Sequence, residues 1–243
     1  MLIIKLDATD STNSYLRALS LHNNLEDFTT VVAKTQTNGR GQMGASWESS
    51  GGMNLTFSVL KNFKEVEISY PFYISMVVSL AIYKALKDLN IPRLSIKWPN
   101  DILSENKKIC GVLIENVIKK NNLDHSILGI GLNVNQIYFD NLPKASSLKL
   151  ITGQNFNLDE LLKGVLEQLK YYFLELEKGC LASLKTNYEA HLFRKNKPST
   201  FKDAEGFMFT GYIKAVSLNG NLEILLEDNI IKAYSLKEVT LLY

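Results

Sequence analysis

Cysteine and histidine are scarce in this chain of 243 residues, with Cys110 and Cys180 as the two cysteines and His22, His125 and His191 as the three histidines. The cysteines lie far apart in the sequence, each in an apolar neighbourhood. We therefore expect reduced core residues of a cytosolic protein rather than a disulfide framework. Because the histidines are isolated from the cysteines and from one another, the sequence does not support a metal cluster.

Strong net charge and long apolar runs are also missing. The 27 Lys and Arg residues against 25 Asp and Glu residues give a net charge of +2, which does not suggest binding to DNA or RNA. The apolar run within residues 1–7 is too short for a signal peptide, and no run reaches transmembrane length. We expect a cytoplasmic protein without nucleic-acid or membrane partners, and the 46% apolar content is sufficient for a hydrophobic core.

The segment from Gln36 to Trp47 has no apolar periodicity and contains Gly39, Arg40, Gly41 and Gly44. Glycines let backbone N–H groups approach a ligand, and an arginine supplies donors suited to a carboxylate or a phosphate. The segment is therefore predicted to be a loop that binds an anion. A purely structural turn is the alternative, because the spacing matches neither of the named phosphate-binding loops.

Periodicity and capping residues predict an order of strands and helices along the chain. The predicted strands are 2–6, 29–35, 53–60 (half-buried), 94–98, 108–115 and 127–135, and the predicted helices are 11–22, 71–89, 157–178 and a further helix ending near 193. A polar, proline-bearing junction at 194–198 then precedes short strands joined by an Asn219–Gly220 turn, predicted as type I′. We predict two domains, a catalytic domain at 1–193 and a small domain at 194–243.

Several predicted strands carry residues that a purely structural strand rarely needs. They are Lys97, Trp98, Asn100 and Asp101 at one strand end, Lys107, Lys108 and Gly111 in the next strand, and Gly129, Gly131, Asn133 and Asn135 on one face of the last. Each group alone could be a surface pair or a bulge, but together they suggest a floor and a lid around an anionic ligand. Since no Ser-His-Asp, Cys-His or paired-carboxylate arrangement can be assembled, catalysis by positioning and charge neutralisation is favoured, as in phosphoryl or nucleotidyl chemistry.

Four ordered motifs resemble the biotin protein ligase family: Gly39–Trp47, Lys97–Asp101, Lys108–Glu115 and Gly129–Asn135. The resemblance covers most of the chain and implies an α+β fold. The expected architecture is a mixed β-sheet with helices on one face, like that of class II aminoacyl-tRNA synthetases, plus a small C-terminal SH3-like β-barrel. Because the chain begins almost directly at the catalytic part, we expect a monofunctional ligase without an N-terminal DNA-binding domain.

The resemblance implies a two-step reaction that uses ATP and Mg²⁺. The biotin carboxylate attacks the α-phosphate of ATP to give biotinyl-5′-AMP and pyrophosphate, and a lysine of a biotin carboxyl carrier domain then takes the biotinyl group. A homodimer is possible, since dimers occur in the family. Two alternatives remain: a lipoate- or octanoate-type ligase or transferase of the same superfamily, and a degenerate biotin- or nucleotide-binding module without activity.

Position by position, the resemblance implies three sets of site residues. The catalytic set is Lys108, Arg40 and Asp101. The biotin-binding set is Ser11, Thr12, Asn13, Gln36, Gly39, Arg40, Gly41, Gln42, Trp47, Lys108 and Gly111. The set for ATP and the adenylate is Gln42, Trp47, Asn100, Lys108, Asn133 and Asn135. No metal ligand from the protein is implied, since Mg²⁺ arrives with ATP.

The chain departs from the family pattern at Gln42 and Ala45, where the family often has arginines that help to hold the adenylate, and mildly at Ser146, where threonine is usual. We therefore hypothesise that this chain retains the adenylate less tightly, with Lys108 and Lys107 carrying more of the charge.

Overall fold

The computed structural model describes residues 1–63, 70–120, 122–140 and 142–243. The strands of the first sheet are β1 Ile3–Thr9, β2 Thr30–Gln36, β3 Leu55–Asn62, β4 Leu94–Lys97, β5 Asp101–Ser104, β6 Lys107–Lys119 and β7 Asn122–Leu132. Those of the second sheet are β8 Pro198–Asp203, β9 Met208–Val216, β10 Leu222–Leu225, β11 Ile231–Tyr234 and β12 Val239–Leu242. The helices are α1 Thr12–His22, α2 Phe72–Asp88, α3 Leu148–Thr152, α4 Leu158–Glu177 and α5 Leu181–Ala190, and a short 3₁₀ turn spans Gln42–Gly44.

The first sheet is mixed and has the strand order β1-β2-β3-β7-β6-β5-β4. Strands β1 and β2 pair in parallel through the α1 crossover, and the other neighbours are antiparallel. The second sheet is antiparallel throughout, in the order β11-β10-β9-β8-β12. The predicted fold, a mixed sheet with helices followed by a small C-terminal β unit, is confirmed.

Alternation along β7 assigns its two faces to different neighbours. Leu128 and Ile130 belong to the main buried cluster, which also contains the apolar residues of α2, α4 and α5. Ile127 instead packs with Leu16 of α1 in a second, smaller cluster. Helix α1 therefore lies across the face of the sheet opposite α2, and Gly129 and Gly131 share its side. The expectation that the helices lie on one face holds for α2, α4 and α5 but not for α1.

The predicted helix ends are confirmed at most positions. Ser11 caps α1 by accepting from the Ser14 N–H, and Asn157 caps α4 by accepting from two backbone N–H groups. Gly179 follows α4 with φ = 78°, a conformation that glycine adopts without strain. Helix α5 ends at Ala190 rather than near 193, because the next residues hydrogen-bond to β4, where the Phe193 N–H donates to the Ile96 carbonyl over 2.8 Å.

Strand β3 is not half-buried as predicted. Its polar residues Thr56 and Ser58 are as buried as its apolar ones, because the polar face lies under α1, where the Ser58 hydroxyl hydrogen-bonds to Asn13. The polar alternation therefore indicates a buried hydrogen-bond network rather than a solvent-facing side.

Three further details differ from the sequence prediction. Asp101 begins a separate strand, β5, which pairs back onto β4 in a hairpin. The Asn219–Gly220 turn is not type I′, because Gly220 has a positive φ and Asn219 does not. Cys110 is fully buried as expected, whereas Cys180 is partly exposed at the junction of α4 and α5.

The two sheets share one hydrophobic cluster. Phe201 and Ile224 of the second sheet belong to the same buried set as the apolar residues of α2. Trp98, in the β4–β5 turn, donates its indole N–H to the Gly220 carbonyl over 2.9 Å. The proposed boundary between residues 193 and 194 lies between the two sheets in the sequence, but the residues on its two sides share one hydrophobic core. The division into two domains stays a prediction.

Within the four described ranges, no helix combines the length and the apolar character needed to cross a membrane.

Lys61, at the end of β3, is buried in an aromatic and acidic cage. Its ammonium lies 2.5 Å from Asp27 and 2.8 Å from Glu177, and its side chain is 4% exposed. It also lies within 6 Å of the ring centres of Phe28, Phe63 and Phe173. This contact ties β3 to the C-terminal end of α4.

Replacing Lys61 with alanine is expected to lower the free energy of unfolding by about 2–4 kcal/mol, because it removes both the charge and the methylene stem that fills the space between the rings. Lys61→Met keeps the volume and leaves the partly exposed carboxylates free to be hydrated, so its loss should be clearly smaller. Urea denaturation measures both values. Equal losses would contradict the packing role assigned to the stem.

Candidate functional site

A cavity of about 260 Å³ lies between the start of α1, the 36–47 loop and the β5-β6-β7 part of the sheet. Most of the predicted site residues line it: Ser11, Thr12, Asn13, Gln36, Arg40, Gly41, Gln42, Trp47, Asn100, Asp101, Lys108 and Gly111. The structure therefore brings together residues from four separate motifs of the sequence.

The floor of this cavity is formed by glycines on neighbouring strands, since Gly111 of β6 pairs with Gly131 of β7. A Cβ added to Gly131 would overlap the Trp47 indole, and one added to Gly111 would lie 3.1 Å from Trp47 Cζ3. One added to Gly129 would overlap the Asn13 amide. The glycines thus make room for protein side chains that wall the cavity, rather than only for a ligand.

The 36–47 loop folds back on itself over this floor. The Gly41 N–H donates to the Ala45 carbonyl over 2.6 Å, and the Trp47 N–H donates to the Gly39 carbonyl over 2.9 Å. Gly44, at the turn, has φ = 80°, which glycine adopts at little cost. Gly39 is buried behind the Trp47 backbone and supports the loop, without lining the cavity itself.

The start of α1 is fixed by side-chain hydrogen bonds across the sheet. Gln36 Oε1 accepts from the Thr12 N–H over 2.8 Å and from the Thr12 hydroxyl over 3.1 Å. The Asn13 amide nitrogen donates to Glu115 over 2.8 Å, and its oxygen accepts from the Ser58 hydroxyl over 2.5 Å. Both ends of the Asn13 amide are therefore occupied by protein partners.

A lysine–aspartate cluster lies at the other end of the cavity. The Lys108 ammonium is 2.7 Å from Asp101 and the Lys97 ammonium is 3.4 Å from the same carboxylate. Two cations share one anion, so the cluster has a net positive charge suited to a second anion. Lys107, which was expected to share the charge on the adenylate, lines neither cavity and donates to the Pro143 carbonyl over 2.5 Å.

A second cavity of about 410 Å³ adjoins the first and shares Ser46, Trp47, Lys97, Asp101 and Lys108 with it. Its remaining lining residues are Glu48, Asn133, Phe139, Leu142, Pro143, Lys144, Ala145 and Tyr243. The complete lining, shared residues included, combines an apolar wall with three lysines and two carboxylates. The mixture suits a planar ring system that carries anionic groups.

Two buried polar atoms of cavity-lining residues lack partners in the described part of the chain, namely the Trp47 indole N–H and the side-chain oxygen of Asn133. The Asn133 amide nitrogen donates to the Ser146 carbonyl over 3.0 Å, which fixes the orientation of the amide. A buried donor or acceptor without a partner costs free energy. Asn133 lines the second cavity, so its side-chain oxygen is a candidate acceptor for a ligand bound there.

Tyr243 lines the second cavity. Its ring centre lies 4.3 Å from the Lys144 ammonium and 5.6 Å from that of Lys97, which are cation–π distances. Burial, and then the negative charge of Asp101, raise the pKa of Tyr243. Its phenol is therefore neutral near pH 7, and the ring serves as an uncharged wall.

Asn135, like Gly39, is a predicted site residue that lines neither cavity. Strand β7 ends at Leu132, so Asn133 and Asn135 lie beyond the strand that was predicted to carry them. The Asn135 amide donates to the Phe156 carbonyl over 2.9 Å and accepts from the Phe156 N–H over 3.0 Å. It thereby fixes the segment before α4. Asn100 lines the first cavity and donates its amide N–H to the Val112 carbonyl over 2.5 Å.

Sequence reasoning did not single out several residues of the site, including Glu115, Lys144, Tyr243 and Leu236. Glu115 does leave a signal, since it is a carboxylate directly after the apolar run 112–114 of β6. Leu236 and Tyr243 come from the C-terminal β unit, and no local pattern marks them as part of a site. Among the described residues, no group of three or more His, Cys, Asp or Glu side chains is arranged to hold a metal ion.

Comparison with known proteins gives consistent results. Residues 6–133 match the profile of the biotin/lipoate A/B protein ligase family. The structure of biotin protein ligase from Aquifex aeolicus in complex with biotin and ATP superposes with a TM-score of 0.82 and 31% identity, over 99% of this chain and 98% of that one. The bifunctional ligase/repressor BirA of Bacillus subtilis is 27% identical over 239 residues, which are 96% of this chain and 72% of that protein. The biotin--[acetyl-CoA-carboxylase] ligase of Paracoccus denitrificans is 35% identical over 131 residues, 53% of each chain.

The contact between Gly131 and the Trp47 indole can be tested by substitution. Gly131→Ala is expected to push the indole off the sheet, so tryptophan emission should shift to the red without any ligand, and stability should fall by about 1–3 kcal/mol. Gly164 of α4 is the matched control, because a Cβ there meets no neighbour. Gly164→Ala should leave the emission unchanged and stabilise the helix by about 0.5–1 kcal/mol. Unchanged emission in Gly131→Ala would contradict the contact.

Proposed function

The chain belongs to the biotin/lipoate A/B protein ligase family, and we propose that it is an ATP-dependent biotin–protein ligase. The observation that supports this function best is the pair of adjoining cavities, which meet at Lys108 and Asp101. One cavity suits a small polar acid and the other suits a nucleotide. A reaction between the two ligands would take place at their junction.

In the proposed first step, a biotin carboxylate oxygen forms a bond to the α-phosphorus of ATP, and the bond from that phosphorus to the pyrophosphate leaving group breaks. Both reacting groups are anionic, so they repel one another as they approach. Lys108 lies where the cavities meet, and its ammonium reduces this repulsion and stabilises the charge that develops on the phosphate. Asp101, 2.7 Å from the Lys108 ammonium, holds that ammonium in place.

In the proposed second step, the amine of an acceptor lysine attacks the acyl carbon of biotinyl-5′-AMP, AMP leaves, and the amine loses a proton. We propose that the acceptor is a lysine of a biotin carboxyl carrier domain. Asp101 is the carboxylate beside the incoming amine, as the family resemblance predicts.

The nucleotide is placed in the second cavity on the basis of its lining. Asn133 offers an unpaired acceptor for an exocyclic amine, and the apolar wall accommodates the purine. Lys97, Lys108 and Lys144 are available to the phosphates. Mg²⁺ would enter with ATP and be held mainly by the phosphates, since magnesium sites commonly use one or two carboxylates plus substrate oxygens; Glu48 and Asp101 are the carboxylates within reach.

The lipoate- or octanoate-type alternative shares the family profile and differs in the acid that is activated. The non-enzymatic alternative would bind biotin or nucleotide without turnover. Pyrophosphate release from ATP, measured with biotin, with lipoate and with no acid, separates the three possibilities. Release with biotin alone supports the proposed function, and no release with any acid would contradict it.

Lys108 is expected to be essential for the first step. Lys108→Ala should lower kcat/KM for biotin-dependent pyrophosphate release by about 10²–10³, because it removes a charge that acts on the developing transition state. Lys107→Ala is the matched control, since the neighbouring ammonium points to the Pro143 carbonyl and lines neither cavity. Its rate should remain within about twofold of the wild type. Full turnover by Lys108→Ala would rule out the assigned role.

The adenylate is expected to be held loosely, since Gln42 and Ala45 bring no charge to the loop. Gln42 lines the first cavity, so an arginine there would reach the bound phosphate. Gln42→Arg should slow the release of biotinyl-5′-AMP by about tenfold, the effect of one good charge-assisted hydrogen bond. The release rate after a single round of adenylate formation, without acceptor, measures the difference. Equal rates in both proteins would refute the hypothesis.

A further inference from the structure

Glu115, near the middle of β6, connects the loop to the start of α1. Its Oε2 atom is 2.9 Å from the Arg40 guanidinium and 2.8 Å from the Asn13 amide nitrogen, and its Oε1 atom is 3.7 Å from the Arg17 guanidinium. The Glu115 side chain is 19% exposed, against 39% for Arg40 and 57% for Arg17. Glu115 is thus the most buried of the three charged residues. Arg40 and Asn13, which both line the first cavity, bind the same Glu115 oxygen.

Arg40 is the only lysine or arginine in the 36–47 segment. Its guanidinium is paired with Glu115 on the sheet, so its positive charge is already compensated by a protein carboxylate. An arginine committed in this way holds the loop to the sheet more than it neutralises a phosphate. This ion pair therefore attaches the loop to the sheet beside the cavity.

We propose that Glu115 is a positioning residue of the ligase, which closes the Arg40 loop over bound biotinyl-5′-AMP and couples that closure to the Asn13 end of α1. The inference rests on the proposed function. Since Arg40 and Asn13 share one carboxylate oxygen, loss of Glu115 frees both groups at once. Retention of the intermediate thus depends on the loop's attachment to the sheet, because residues 42 and 45 contribute no charge.

A double-mutant cycle tests the coupling. Glu115→Gln removes the negative charge but keeps an oxygen that can accept from Asn13. Arg40→Gln removes the positive charge, which belongs to the more exposed partner, and changes no residue of the sheet. Each change is expected to speed the release of biotinyl-5′-AMP by about three- to tenfold. The double variant should release it no faster than the faster single variant, because both changes break one interaction. Multiplicative effects, or unchanged release in either single variant, would overturn the proposal.

Arg17→Gln is the matched control, since Arg17 is the other guanidinium near Glu115 and lies on α1, outside the cavity lining. Its release rate should stay within about twofold of the wild type. A change as large as that of Arg40→Gln would show that Glu115 acts through α1 rather than through the loop, and would overturn the proposal.

Tryptic cleavage after Arg40, without ligand, tests the same pair independently of activity. Glu115→Gln should be cleaved there about three- to tenfold faster than the wild type, because the loop opens more often, and Arg17→Gln should be cleaved at the wild-type rate. If the wild type makes no adenylate with biotin and ATP, the proposed function fails while this cleavage still measures the attachment of the loop. Equal cleavage of Glu115→Gln and wild type would overturn the attachment.

Discussion

The contact of the Trp47 indole with the bare backbone of Gly131 is the constraint on which the rest of the site depends. An indole can lie flat on a β-sheet only where the strand beneath it carries no side chain. Gly111 is paired with Gly131 in register on the adjacent strand, so the clear area spans two strands. The ring placed there lines both cavities, and the Lys108 ammonium lies over it, 5.8 Å from the ring centre.

Ion pairs hold the edges of this arrangement in two different ways. At one edge, a single carboxylate, Asp101, lies between two ammonium groups, which leaves positive charge for a ligand. At the other edge, Glu115 takes up the charge of Arg40. The same kinds of residue therefore attract an anion at one end and attach the loop at the other, and only their partners in space distinguish the two roles.

Much of the fold was predictable, because helix caps, strand alternation and glycine positions are local patterns. The start of α1 at Ser11 and the end of α4 before Gly179 are examples. The glycine-bearing face of β7 was also found, but not its neighbours Asn13 and Trp47, which come from distant parts of the sequence. The contacts of Glu115 were missed for the same reason, since they join residues 75 and 102 positions apart. Strand β3 shows the limit most clearly: its polar residues predict a solvent-facing side, and only the position of α1 shows that they are buried.

The C-terminal unit that contains the second sheet contributes residues to both cavities. Tyr243, which follows β12, forms part of the wall of the nucleotide-sized cavity, and Leu236 lines the smaller one.

The central strands pair residues as distant as Leu55 and Leu132, and pairings of this kind form slowly because the chain between them must first be ordered. During synthesis on the ribosome, Gly39 of the loop would be made roughly two hundred residues before Tyr243, the last residue that lines the second cavity. At ordinary elongation rates this is a delay of about 10–40 s. A nascent chain would therefore have its core strands and its helices well before it had a complete place for a nucleotide.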